Sequence, residues 1–137
     1  MPIDEGERLR AIAASMPFAA ALGIEVLAAA PAEVRGRLRW APERCTTGDV
    51  LHGGALMTFG DTLGALCAFL NLPAGAGTTT VESKTNFFRA VRSEHVDGVT
   101  RPLHVGRRFV VVQTDLTDAA GRRVAQVTQT QAVLQPG

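Results

Sequence analysis

The sequence predicts an α+β fold in which a mostly antiparallel β-sheet wraps around one long central helix. One segment, residues 53–72, is apolar at nearly every position, which is typical of a helix enclosed by other structure. Two strand-like runs precede this segment and four follow it. Because the strands are grouped around one helix and do not alternate with helices, the pattern favours an antiparallel sheet over a parallel one.

Residues 4–16 are predicted to form an amphipathic first helix. Asp4 and Glu7 have the spacing of a capping box at its start, and Pro17 ends the run. The apolar positions recur at helical intervals, at Leu9, Ile12 and Met16.

Two strands are predicted next, over 22–29 and 33–40, with Pro31 in the break between them. The second shows the clearest alternation in the chain, which indicates a strand with one face in water. Its apolar face, expected to lie in the core, carries Val34, Leu38 and Trp40, and its polar face carries Glu33, Arg35, Arg37 and Arg39.

A loop over 41–51 leads into the central helix, which is expected to open at His52 and to close by Pro73. Asp61 is the only charged residue in the apolar segment, and a charge at the centre of a bilayer costs about 2.5–3.5 kcal/mol. The segment is therefore interpreted as a buried helix and not as a membrane span. Its small residues would let a sheet approach closely; they include Ala55, Gly60, Gly64, Ala65 and Ala68.

Four strands are predicted after the helix, over 78–89, 95–105, 107–117 and 122–134. Pro102 cannot donate a hydrogen bond to a neighbouring strand, so it should lie at an edge or a bulge. The Asp118–Gly121 segment indicates a tight hairpin between the last two strands.

Composition excludes several classes of function. A chain of 137 residues is expected to form a single domain, 1–137, and its net charge of +1 gives no support for nucleic-acid binding. Two cysteines, Cys45 and Cys67, form neither a disulfide framework nor a zinc-ligand cluster, so no metal site is expected. The first residues are acidic and lack an apolar core, so they do not form a signal peptide, and the expected location is cytoplasmic.

Asp61 is the first candidate for chemistry, because burying a carboxylate is costly unless it is hydrogen-bonded or paired. One interpretation is an aspartate that faces solvent through a gap or caps a neighbouring element. The other is a general base or nucleophile in a pocket, where burial would raise its pKa. The sequence leaves both open.

The start of the central helix, His52-Gly53-Gly54, is the second candidate. Glycines let a ligand approach the backbone, and amides of the first turn, which lack partners within the helix, can point at an anion or a polarised carbonyl. The alternative is a flexible glycine entry to the helix, with His52 fixing the loop through a hydrogen bond.

In combination these two features resemble the hotdog-fold acyl-CoA thioesterases, specifically the phenylacetic-acid-degradation type. The matching residues are the run from Leu51 to Met57 followed by Asp61 and Thr62. Supporting matches cover nearly the whole chain, at 17–18, 22–26, 80–82, 86–89, 106–109, 115–118 and 121–122.

The resemblance implies a hotdog fold, assembled as a homodimer or a dimer of dimers, that hydrolyses a CoA thioester to a free acid and CoA. The acyl group would be aryl or of short to medium chain length, and no cofactor is implied beyond the CoA of the substrate. Asp61 would be the base or nucleophile, and the Gly53 amide would bind the thioester oxygen, with His52 and Gly54 beside it.

The resemblance is weaker at two further positions. Thr46 stands six residues before His52, where the family usually has a side-chain amide. A hydroxyl after the helix contacts the attacking water in some members, and Thr80 fits that place best, with Thr79 next.

Helix geometry adds a constraint that does not depend on the resemblance. At about 1.5 Å per residue, the eight residue steps from Gly53 to Asp61 span roughly 12 Å of a continuous helix. A reacting carbonyl must lie about 3 Å from both its oxyanion donor and its attacking group. One chain therefore cannot supply both groups to one substrate, whereas two antiparallel helices across a twofold axis can.

The phosphates of CoA call for basic side chains, and Arg89, Arg107 and Arg108 are the candidates in the matching segments. Each of them could equally be an ordinary solvated surface arginine. Two other functions also remain open: a non-catalytic acyl-CoA-binding module, and a hotdog-fold dehydratase or hydratase that uses His52 and Asp61 as an acid–base pair. Neither a membrane nor a nucleic acid is expected as a partner.

Overall fold

The structure, a computed structural model, describes residues 2–136, so the two end residues of the predicted 1–137 domain lie outside the described residues. The helices are α1 (Glu5–Ala14), α2 (Pro17–Leu22) and α3 (Gly53–Leu70). The strands are β1 (Glu25–Ala30), β2 (Glu33–Arg39), β3 (Cys45–Thr46), β4 (Val50–Leu51), β5 (Gly77–Phe87), β6 (His95–Val105), β7 (Phe109–Asp118) and β8 (Arg123–Leu134).

Six of these strands form one antiparallel sheet in the order β1-β2-β6-β7-β8-β5. Helix α3 packs across one face of this sheet, and the short strands β3 and β4 pair with each other just before α3 begins. The α+β class, the antiparallel sheet and the long central helix predicted from the sequence are confirmed.

The segment before β1 differs from the prediction. Residues 17–22 form helix α2, with Pro17 in its first turn, and β1 begins at Glu25 where the sequence predicted a strand from residue 22. A proline suits the first turn of a helix because the amide it lacks would have no partner there. Gly23 then ends α2 with a φ of 85°, a left-handed conformation that glycine adopts readily.

Glycines let α3 lie close against the sheet. Gly36 of β2 is paired with Gly98 of β6, and both face the Phe59 and Leu63 side chains of α3, which are fully buried. A Cβ atom on Gly98 would lie 2.6 Å from a Leu63 methyl carbon, and one on Gly36 would lie 2.7 Å from the other methyl. The small residues of the helix predicted a close approach between helix and sheet. The structure shows that glycines on the sheet also make this approach possible.

One side of α3 is left uncovered in the single chain, although its sequence predicted a helix enclosed on nearly every side. Met57, Asp61 and Phe69 are exposed along this side and are called here the exposed stripe of α3. By length and composition alone α3 could cross a membrane, but 56% of that stretch is buried in the fold, as in the core helix of a globular domain.

The remaining turn and edge predictions agree with the structure. The pairing of β6 with β7 is interrupted by a bulge between Pro102 and His104, so the proline is accommodated as expected. Gly121, with a φ of 80°, completes the hairpin between β7 and β8. Trp40, expected in the core, is half-buried at its margin, and its indole N–H donates to the Asp49 carbonyl at 3.0 Å.

Replacing Gly98 by alanine is expected to lower the free energy of unfolding by about 1–3 kcal/mol, because the new methyl group would overpack the contact with Leu63. Urea denaturation measures the change. Gly77→Ala is the matched control, since a Cβ there meets nothing closer than the Leu134 Cβ at 3.9 Å, and its effect should stay within about 0.5 kcal/mol. Equal losses in the two variants would contradict the packing explanation.

Candidate functional site

The start of α3 is fixed by His52 as its N-cap residue. The His52 backbone is extended, with φ −62° and ψ 134°, and its ring Nδ1 accepts a hydrogen bond from the Gly54 amide at 2.8 Å. An accepting Nδ1 places the proton of the neutral ring on Nε2. The histidine thus satisfies one of the amides that a helix start leaves without a partner.

The Gly53 amide remains available. It is the first N–H of α3, and among residues 2–136 it makes no hydrogen bond. The aligned peptide dipoles of the helix add partial positive charge at this end. An unpaired donor at a helix start is suited to binding an anion or a carbonyl oxygen.

Gly53 opens into a cleft of about 370 Å³ on one side of the helix start. Thr46 from β3 and Arg89, just after β5, line this cleft together with the Phe87 and Phe88 side chains, which are half or more exposed. The structure therefore brings three of the predicted site residues, Thr46, Gly53 and Arg89, to one place.

A second cleft, of about 390 Å³, lies on the other side of the helix start and is mainly apolar. His52, Gly54 and Thr58 line it from α3, and Phe18 of α2, which is 71% exposed, stands at its margin. Cys45 also faces this cleft, but burial raises the pKa of its thiol, so the reactive thiolate is disfavoured.

Asp61 lies on the exposed stripe of α3, two turns after Gly53. Its Oδ1 accepts a hydrogen bond from the Gln129 side-chain amide at 2.8 Å. Partial burial against the sheet raises the pKa of the Asp61 carboxyl above the ordinary aspartate range, and no charged neighbour contributes to this shift. A carboxyl with a raised pKa is a stronger base once it is ionised.

Gln129 is a site residue that the sequence analysis did not identify. It comes from β8 and is 1% exposed, and its amide nitrogen also lies 3.5 Å from the Ser83 hydroxyl of β5. Residues 128–131 are all polar, so alternation gave no sign of which side chains point toward α3.

The two threonines predicted to contact the attacking water lie on opposite faces of β5. Thr80 is paired with Gln131 and faces α3, and its hydroxyl accepts from the Gln131 amide at 2.7 Å. Thr79 is paired with Ala132 and faces the other way. Only Thr80 therefore shares the helix-facing side of the sheet with Asp61.

The arginines predicted to contact CoA are divided between two ends of the sheet. Arg89 lies beside Gly53, at the end of β5 where Phe87 is paired with Ala125. Arg107 and Arg108 line a cleft of about 540 Å³ in the turn between β6 and β7. The Arg108 carbonyl accepts from the Val133 amide, which places this turn near the opposite end of β5.

Comparison with known proteins identifies a family. The family model described as the thioesterase superfamily matches residues 48–125, which include α3 and most of the sheet. The chain is 32% identical over 85 residues to the 1,4-dihydroxy-2-naphthoyl-CoA hydrolase of Escherichia coli and 33% identical over 85 residues to the proofreading thioesterase EntH of Cronobacter sakazakii. Each alignment covers 62% of this chain and 62% of the relative, so the matched region is shorter than either protein.

Solved structures show the same architecture along most of the chain. A thioesterase from Haemophilus influenzae superposes with a TM-score of 0.89 at 25% identity, covering 98% of this chain and 93% of that one. Zebra fish thioesterase superfamily member 2 superposes with a TM-score of 0.81 at 27% identity, covering 93% of this chain and 94% of that one. The hotdog fold expected from the resemblance is thereby confirmed.

Replacing His52 by alanine is expected to destabilise the protein by roughly 0.5–2 kcal/mol, because the Gly54 amide loses its acceptor. His52→Asn is the matched control, since an asparagine oxygen can cap the same helix start and should restore most of the loss. Urea denaturation of both variants provides the measurement. If the asparagine variant is as unstable as the alanine variant, the capping role is wrong.

Proposed function

Because the chain belongs to the thioesterase superfamily, we propose that it hydrolyses an acyl-CoA thioester to a free acid and CoA, as thioesterases of the phenylacetic-acid-degradation type do. One observation carries the proposal. An unpaired amide and a carboxyl of raised pKa lie on the same apolar helix, at Gly53 and Asp61. These are the two groups that acyl transfer needs, a donor for the developing oxyanion and a base or nucleophile.

Gly53 supplies the oxyanion donor. As the thioester carbon becomes tetrahedral, negative charge develops on its oxygen, and an N–H already aimed at that position stabilises the charge without reorganisation. The positive end of α3 acts in the same direction. Thr46 lies in the same cleft, and its hydroxyl can donate a hydrogen bond to the same oxygen or to a water beside it.

Asp61 supplies the base or the nucleophile. As a base, its carboxylate takes a proton from water while the water oxygen bonds to the thioester carbon and the carbonyl electron pair moves to oxygen. Collapse of the tetrahedral adduct breaks the carbon–sulfur bond, and the CoA thiolate takes the proton back from Asp61. As a nucleophile, the carboxylate expels the thiolate to form a mixed anhydride, which water then cleaves.

Both groups reach one substrate only when two chains combine. Gly53 and Asp61 are separated by roughly 12 Å along the unbroken α3. Strand β5 is at the edge of the sheet, and within residues 2–136 it pairs with β8 alone. Antiparallel pairing of two β5 edges across a twofold axis would extend the sheet and bring two α3 helices side by side.

The surface around this edge is suited to such a homodimer, which could in turn form a dimer of dimers. Val81 is 61% exposed, Phe88 55% and Met57 42%, so apolar side chains are exposed both at β5 and on the exposed stripe of α3. Antiparallel pairing would also place the start of one β5 beside the end of the other. The turn with Arg107 and Arg108 would then approach the Arg89 region of the second chain, which supports a shared CoA-phosphate site.

The acyl group is proposed to be aryl or of short to medium chain length. The second cleft is mainly apolar and open, with Phe18, Leu22 and Ala55 in its lining and the charged Glu43 and Arg44 beside them. The name of the Escherichia coli relative specifies an aryl-CoA substrate, which supports an aryl group for this chain as well. A free-thiol assay across aryl-, short- and long-chain acyl-CoAs tests this choice.

Asp61→Asn is expected to lower kcat by at least about 10²-fold, because the amide can neither accept the proton of water nor attack the thioester. Thiol release from acyl-CoA is the measurement. Asp115→Asn is the control, since Asp115 lies on the other face of the sheet, where its carboxylate pairs with Gln126 and Arg123. Full activity in Asp61→Asn would exclude the catalytic role, and tight CoA-thioester binding without thiol release in the wild type would favour a binding module.

Gly53→Pro removes the proposed donor and is compatible with the first position of a helix after the extended His52. It is expected to lower kcat by about 10²–10³-fold. Gly53→Ala keeps the N–H and adds a Cβ at 3.3 Å from the Phe87 ring, so it is the matched control and should stay much closer to wild type.

Co-expression of the Gly53→Pro and Asp61→Asn chains is expected to restore about a quarter of wild-type activity per chain, because half of the dimers are mixed and each mixed dimer has one intact site. Each variant expressed alone sets the baseline. No recovery in dimers shown to be mixed would mean that the two groups act within one chain or in no common site.

A further inference from the structure

The side chain that contacts the Asp61 carboxyl comes from the sheet. Gln129 lies in the middle of β8 and faces α3, and its amide nitrogen donates to Asp61 Oδ1 at 2.8 Å. We propose that Gln129 is a positioning residue that holds Oδ1 of Asp61 and leaves Oδ2 as the oxygen that reacts. This inference rests on the proposed thioesterase function, since it assigns a role to one residue of that site.

The Gln129 amide is confined to one place. A Cβ atom at Gly64 of α3 would lie 1.8 Å from Gln129 Oε1 and 2.7 Å from its Cδ, so only a glycine leaves room for this amide. Gln129 is 1% exposed, and its Oε1 is buried without a hydrogen-bond partner among residues 2–136. A buried amide with one unsatisfied atom is costly to keep, and the Asp61 contact is its main polar interaction.

The orientation of the amide follows from charge. A carboxylate oxygen repels the Oε1 atom and attracts the N–H, so the nitrogen faces Asp61 whenever Asp61 is ionised. Among residues 2–136, Oδ2 of Asp61 has no hydrogen-bond partner. One oxygen is therefore held by the sheet, and the other is left without a partner on a residue that belongs to the exposed stripe of α3.

No charged side chain within the described residues competes for this role. Most titratable residues on the strands packed against α3 lie on the outer face of the sheet, away from Asp61. These outer-face residues are Glu25, Glu33, Arg35, Arg37, Arg39, Glu82, Lys84, His95, Asp97, Arg101, His104, Asp115 and Arg123. Asp118 faces inward, but Arg122 of its own hairpin holds its carboxylate. The N-cap residue His52 is more than two turns away from Asp61, and Cys67 of α3 is buried in the core.

Gln131 provides an internal control for the role of Gln129. Gln131 lies two residues further along β8, faces the same way and is equally buried at 1% exposed. Its amide nitrogen donates to Thr80 at 2.7 Å, and its Oε1 accepts from Thr78 at 3.1 Å, so it does not contact Asp61. Replacing either glutamine by methionine removes a buried amide of the same size from the same strand.

The test measures the pH dependence of kcat/KM in Gln129→Met and Gln131→Met. Loss of an N–H donor destabilises the Asp61 carboxylate and so raises the pKa of Asp61. The acid limb of the kcat/KM profile of Gln129→Met should therefore move up by roughly one pH unit. Its kcat should fall about tenfold with KM little changed. Gln131→Met should leave the acid limb in place even if it unfolds more easily. The inference would be overturned if the acid limb of the kcat/KM profile stayed in place in Gln129→Met, or if it moved equally in both variants.

Two further measurements keep the inference testable if activity or folding fails. Titration of the Asp61 carboxyl by carbon-13 NMR reads its pKa without turnover, so it still decides the role of Gln129 if no acyl-CoA is hydrolysed and the proposed function is wrong. Gln129→Glu preserves the shape of the side chain if the methionine variant does not fold. Two adjacent carboxyls share a proton, so this variant should raise the Asp61 pKa further, and an unchanged pKa would overturn the inference.

Discussion

The close contact between α3 and the sheet is the constraint on which the rest of the structure depends. Gly36 and Gly98 on the strands face Phe59 and Leu63 of the helix, and methyl groups at either glycine would collide with Leu63. On the helix, Gly60 contacts Val127 and Gly64 contacts Gln129 in the same manner. Because backbone meets side chain directly at these points, the position and rotation of α3 are fixed within a narrow range.

That fixed rotation explains how an apolar helix carries a carboxyl group. Asp61 belongs to the exposed stripe of α3, yet one of its carboxyl oxygens still accepts a hydrogen bond from the buried Gln129. This position leaves the carboxyl partly desolvated, which raises its pKa. An aspartate one position earlier or later would be buried, because Gly60 contacts Val127 and Thr62 is only 8% exposed.

The sequence was sufficient for features that depend on nearby residues or on strong periodicity. The long helix, the alternation in β2, the Pro102 bulge and the two site candidates on α3 are all visible locally. Helix α2 was missed because six apolar residues can form a strand or a helix equally well, and only the packing of α2 beside α3 decides. The register of the strands decides that Gln129 and Thr80 face α3 and that Thr79 does not, and the polar residues on both faces of β5 and β8 do not reveal this register.

Strand β5 has a consequence for the chain during its synthesis. Eleven residues of strand expose backbone donors and acceptors along one edge, and Val81 and Phe87 add apolar side chains to it. Such an edge accepts any extended polypeptide of suitable length, including a misaligned copy or an unrelated nascent chain. Lys84 and Glu82 on the same strand oppose this by placing charges where a wrong neighbour would have to bury them. These charges therefore protect the edge against aggregation while the chain is being made.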